Sequence, residues 1–119
     1  MTAIHVGEWS GEEQRRHRRA PLGVPVECRA GQTVLQGNAV NVSTSGLLIR
    51  TATPFPEGEE ITVAFSLPGS ARVIQCRAQV AHVVPHAFMG AEFLDLPPES
   101  SERIEKYIAA APTLQAKPK

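Results

Sequence analysis

The sequence predicts an all-β chain with one closing helix, arranged as a small antiparallel barrel or sandwich. Three observations predict it. Short runs of alternating apolar and polar residues begin at Val24 and recur with Gly- or Pro-containing turns between them. A single stripe of helical period stands near the end of the chain, after Pro97-Pro98. A chain of 119 residues that is 42% apolar and 20% charged supplies one modest core, with little room for a second.

Residues 1–14 show no periodicity. The reading sets a flexible leader at 1–11, a folded domain at 12–111 and a loose tail at 112–119. The first strand is Val24 to Arg29, and Ala30-Gly31-Gln32 turns the chain. Thr33 to Ser43 alternates, with Val34, Val40 and Val42 on one parity. A tight turn at Thr44-Ser45-Gly46 leads to a strand over Leu47–Thr51, which ends before Pro54-Phe55-Pro56. Glu60 to Leu67 alternates most cleanly, with Ile61, Val63, Phe65 and Leu67 pointing one way. Pro68-Gly69-Ser70 is a hairpin signal. Ala71 to Val84 follows, with Ile74, Cys76, Ala78 and Val80 on one face. Phe88 to Leu94 is the last strand. Then Pro97-Pro98 presets a first helical turn, and Glu99 and Glu102 suit the positive end of the helix dipole. Ile104, Tyr107, Ile108 and Ala111 form the apolar stripe. The total is six or seven strands and one helix.

Composition excludes several classes. Lys+Arg and Asp+Glu are 12 each, so the net charge is zero, which argues against a globally basic nucleic-acid binder. The first twenty residues hold no apolar run, so no signal peptide is expected, and no stretch is long enough to insert in a membrane. Cys28 and Cys76 lie far apart, without a CxxC. Two buried thiols in a reducing cytoplasm is the expectation, with no metal site and no cofactor.

No catalytic motif is present: GxSxG, HExxH, a P-loop and GxGxxG are all missing. The chain is therefore read as a binding protein and not an enzyme. Carboxylates are scattered, and Glu92, between strand residues, is the one candidate for burial. His82 and His86 are four apart, but Pro85 interrupts any helix that would join them.

Positive charge is uneven. Four of the nine Arg fall between Arg15 and Arg19. Guanidinium forks pair with phosphate oxygens and also with the O6 and N7 acceptors of guanine. Arg19 stands in a loop ahead of the first strand, so its loss is expected to leave the fold intact. The second feature is Asn41-Val42-Ser43-Thr44-Ser45-Gly46. Taken alone this is turn chemistry, with Asn and Ser bonding locally and Gly46 accepting positive φ.

An RxxxR (Arg15, Arg19) before the first strand, followed by Asn41-x-Ser43-xx-Gly46 between strands, resembles the PilZ domain family. The likeness extends through Gly46-Leu47-Leu48-Ile49 and Gly90-Ala91-Glu92-Phe93, and covers roughly residues 12–110. It implies a six-stranded antiparallel PilZ-type β-barrel with a C-terminal α-helix, acting as a bacterial receptor for cyclic di-GMP. Carried over by position, Arg15 and Arg19 would grip guanine edges and phosphates, with Arg16 beside them. Asn41, Ser43 and Gly46 would cradle a guanine base at the barrel surface. Asn41 stands where many members have Asp, which removes a carboxylate able to accept two donors from guanine. His82 stands where many members have a stacking Trp. Its parity with Cys76, Ala78 and Val80 makes it core-facing unless a bulge re-aims it. Binding would order the N-terminal arm for an unidentified downstream protein. Two alternatives remain: a PilZ-like adaptor that makes protein contacts without nucleotide, and a single-stranded nucleic-acid barrel. The few aromatics argue against the latter, as Phe65 and Phe93 read as core.

Overall fold

A computed structural model describes residues 18–111. The leader, Arg15, Arg16 and the tail at 112–119 therefore lie outside the described residues. Six strands form: β1 (Ala20–Ala30), β2 (Thr33–Val42), β3 (Gly46–Arg50), β4 (Glu60–Ser66), β5 (Val73–Val84) and β6 (Phe88–Phe93). One helix, α1 (Pro98–Ala110), ends the described chain. The strands close into an antiparallel barrel in the order β1-β2-β3-β6-β5-β4, with β4 pairing back onto β1.

Alternation selects the inward faces. Ile61, Val63, Phe65 and Leu67 are buried, as are Ile74, Cys76, Ala78 and Val80. Register stacks these residues into layers across the barrel wall. One layer runs Ala20–Val42–Leu47–Ala91–Val80, another Val24–Ala39–Ile49–Met89–Val83. Cys28 and Cys76 face inward on either side of Val63, as free thiols. Phe65 is buried and stacks on the partly buried Phe93, ring centroids 6.4 Å apart.

The helix lays Ile104 and Ile108 into the same core. Pro98 opens it, where a missing N–H costs nothing, and Glu99 lies in its first turn. The residue before Pro112 is held extended, which stops the helix at Ala110. Side chains fix its outer edge. The Arg103 guanidinium donates to Ser70 Oγ and to the Arg72 carbonyl, and Tyr107 Oη donates to the Pro21 carbonyl at 2.6 Å. No helix among the described residues is long and apolar enough to cross a membrane.

The strand pattern departs from strict alternation at three places, and each is a bulge. β1 begins at Ala20, four residues before the expected Val24, because Leu22-Gly23 spans one residue too many against β2. Gly23 takes φ +69°, which breaks the apparent period. In β2 the extra residue is Val40, between the pairs Ala39–Ile49 and Asn41–Leu48. Val34 and Val42 consequently face opposite ways, Val34 exposed and Val42 buried, contrary to the single parity expected. In β5 the extra residue is Ala81, between Val80–Ala91 and His82–Gly90.

Candidate functional site

Arg19 immediately precedes β1, and Asn41 is the second-last residue of β2. The register pair Pro21–Asn41 brings these segments side by side. Arg19 Nη1 donates to Asn41 Oδ1 at 2.9 Å, and both side chains are buried. The two sequence motifs therefore meet in space, 22 residues apart in the chain. Arg19 does lie outside the strands, as expected. Its burial against Asn41, however, makes it part of the packing, so its loss will not leave the fold untouched.

Asn41 owes its position to the Val40 bulge. Continued alternation from Leu35, Gly37 and Ala39 would aim it into the barrel. One extra residue turns it to the outer face and returns Val42 to the core. The same device acts on β5. Alternation from Cys76, Ala78 and Val80 would bury His82, but Ala81 is inserted and His82 is exposed. The core-facing parity is corrected accordingly. An outer row results that crosses five strands: Pro21, Asn41, Leu48, Gly90 and His82.

The turn between β2 and β3 is built by Ser43. Its backbone N–H donates to the Gly46 carbonyl at 2.9 Å. Its hydroxyl accepts from the Ser45 N–H at 3.0 Å and lies 2.9 Å from Ser45 Oγ. Ser43 is wholly buried, so its hydroxyl shapes the turn from inside. The Phe93 N–H donates to the Ser45 carbonyl at 2.9 Å, which fastens the turn to β6.

Gly46 is needed for a different reason from the one expected. Its φ is not positive. Instead β6 crowds it, and a Cβ would stand 2.1 Å from the Ala91 carbonyl oxygen. Gly90 is the opposite case: a Cβ there would meet nothing closer than His82 Cβ, at 3.8 Å. Packing within the protein requires glycine at 46 and not at 90.

Arg19, Gly46, Leu48, Ala81, Gly90 and Glu92 line one small depression on this face. Sequence reasoning did not single out Leu48, Ala81 or Gly90 as lining residues. The signal was cross-strand register, which no single strand displays. Glu92, the expected buried carboxylate, is exposed: it pairs with Gly46, and that register aims it outward. Among the described residues, no three His, Cys, Asp or Glu side chains group to hold a metal ion.

Comparison with known proteins agrees with this fold. The family model of the PilZ domain matches residues 13–110. No curated protein matches the chain significantly. Among solved structures, the Bacillus subtilis inhibitor of motility MotI/DgrA superposes with a TM-score of 0.71 at 18% identity over 80% of this chain. The chain spans only 49% of that protein's length. The PilZ domain of Escherichia coli YcgR, solved with c-di-GMP, superposes with a TM-score of 0.68 at 16% identity, covering 82% of this chain and 91% of that one. The PilZ domain of CeSA from a cellulose-synthesizing bacterium gives a TM-score of 0.59 at 15% identity, covering 76% and 94%.

Proposed function

The chain belongs to the PilZ domain family, and on that premise we propose that it is a cyclic di-GMP receptor, a binding domain without catalysis. One observation carries the reading: the buried Arg19–Asn41 hydrogen bond, which joins the RxxxR segment to the NxSxxG turn on one outer face. A guanidinium fork beside an amide, close to Gly90 with its unfilled Cβ position, suits a ligand that offers phosphate oxygens and guanine acceptors together. The solved YcgR domain with c-di-GMP supports the choice of ligand. Arg15 and Arg16 complete the clamp from the segment ahead of Arg19. His82, on the same outer row, offers an imidazole face for stacking. The ligand-bound arm then presents a changed surface to a downstream protein in the cytoplasm.

Titration calorimetry with cyclic di-GMP tests this directly. Binding at a micromolar constant or tighter, about −8 kcal/mol, is expected. Arg19→Lys keeps the charge but loses the fork, and should weaken binding at least about tenfold. Absence of binding by the unaltered chain would overturn the receptor reading in favour of an adaptor. Hydrogen exchange over residues 10–20 should slow when nucleotide is added. Equal exchange with and without ligand would refute signalling through the arm.

A further inference from the structure

The depression contains a carboxylate that the receptor reading leaves unused. Glu92 lies in register with Gly46, two residues from Gly90, on the outer face of β6. It lines the same depression as Arg19. Its side chain makes no hydrogen bond or ion pair to any described residue, unlike Glu60, Asp95 and Glu99, which pair with arginines. What sets it apart from the exposed Glu57, Glu102 and Glu105 is its place in the depression with Arg19 and Gly46. A lone carboxylate beside an arginine, with glycines on either side, is an acceptor pair next to a donor fork.

We propose that Glu92 is the residue that selects guanine. This rests on the cyclic di-GMP reading and deepens it. Guanine presents two parallel donors, N1–H and the 2-amino group, next to its O6 and N7 acceptors. A carboxylate accepts both donors at once, while an arginine serves the acceptors. Asn41 is less suited to this work, because it has one acceptor atom where a carboxylate has two, and Arg19 Nη1 already donates to that atom. A carboxylate absent from position 41 of β2 is thus offered from β6, on the other side of β3. Adenine lacks the donor pair, and hypoxanthine keeps N1–H but lacks the 2-amino group. Glu92 therefore imposes selection by leaving an acceptor unmet when either base is bound.

The test is a cycle of two proteins and two ligands, cyclic di-GMP and its hypoxanthine analogue cyclic di-IMP, measured by calorimetry on the full chain. The unaltered protein should prefer cyclic di-GMP about tenfold or more. Glu92→Ala should bind both nearly alike, because cyclic di-GMP loses two contacts per base and cyclic di-IMP one, so affinity falls further for cyclic di-GMP. Glu92→Gln, which replaces one acceptor with a donor, should behave the same way. Unchanged thermal melting is expected for both variants, since the side chain is exposed and unpaired. A Glu92→Ala protein that keeps the full preference overturns the assignment to Glu92 and leaves the receptor reading standing. An unaltered protein that binds neither nucleotide overturns the receptor reading itself, and the role of Glu92 with it.

Discussion

Gly46 and Gly90 face each other's strands yet answer to different demands, and substitution separates them. Gly46→Ala would drive a methyl into the Ala91 carbonyl, so β3 and β6 must part. The cost should be about 3 kcal/mol or more, read from denaturant melts. Gly90→Ala meets only ordinary contact. It should fold as well as the unaltered chain, or up to about 1 kcal/mol better through loss of unfolded-state freedom. Its effect should fall on the ligand, with affinity for cyclic di-GMP lower by about tenfold. Early melting of Gly90→Ala would show that protein packing, and not ligand space, dictates that glycine. Arg19 sits between these cases. Arg19→Ala removes a donor from buried Asn41 and so should cost about 1–3 kcal/mol of stability as well as binding. Arg19→Ala that melts like the unaltered chain would contradict that packing role.

Bulges are what make the strands of this barrel into a site. The faces of β4 and the first eight residues of β5 were legible in the sequence, because unbroken alternation there coincides with burial. The faces of Asn41 and His82 were not, because one inserted residue inverts everything after it and leaves no mark on the local pattern. Gly23 hints at the β1 bulge, but Val40 and Ala81 are ordinary strand residues. The pairing of motifs was legible, since RxxxR and NxSxxG each stand intact; their contact through Arg19 and Asn41 needed the register. Deletion distinguishes a bulge residue from a ladder residue. Removing Ala81 leaves Val80 inward, His82 outward and Val83 inward, so the barrel should survive with a loss of about 2 kcal/mol or less. Removing Gln79 makes inward Ala78 and Val80 adjacent, so one must turn to solvent, and a loss above about 4 kcal/mol is expected. Equal damage from the two deletions would show that Ala81 is not an extra residue.

At the scale of the whole molecule, closure of the barrel places both thiols in a common interior, and that sets how stability depends on alkaline pH. Burial, with a smaller contribution from the nearby Glu27 carboxylate, pushes the Cys28 thiol up to about 12. Burial, with Asp95 as the lesser cause, pushes Cys76 up to about 11. Unfolding returns both to the ordinary value of 9.0. The folded state thus holds its thiol protons more tightly. The associated stability is complete below pH 9 and is lost as pH rises through 11 and 12, where the unfolded chain has ionised first. Each thiol adds a slope approaching 1.4 kcal/mol per pH unit, or about that, across this window. Lysine and tyrosine titrate there too, so the informative quantity is a difference. Urea melts of the unaltered chain and of Cys28→Ala/Cys76→Ala should fall in parallel from pH 7 to 8.5. Above pH 9 the unaltered chain should lose stability more steeply. Thiol reagents at pH 8 should label neither cysteine until the barrel opens, at the rate of opening. Parallel melts up to pH 11, or fast labelling of the folded chain, would mean that water reaches the interior beside Val63, and that the barrel is not closed along the β1–β4 seam.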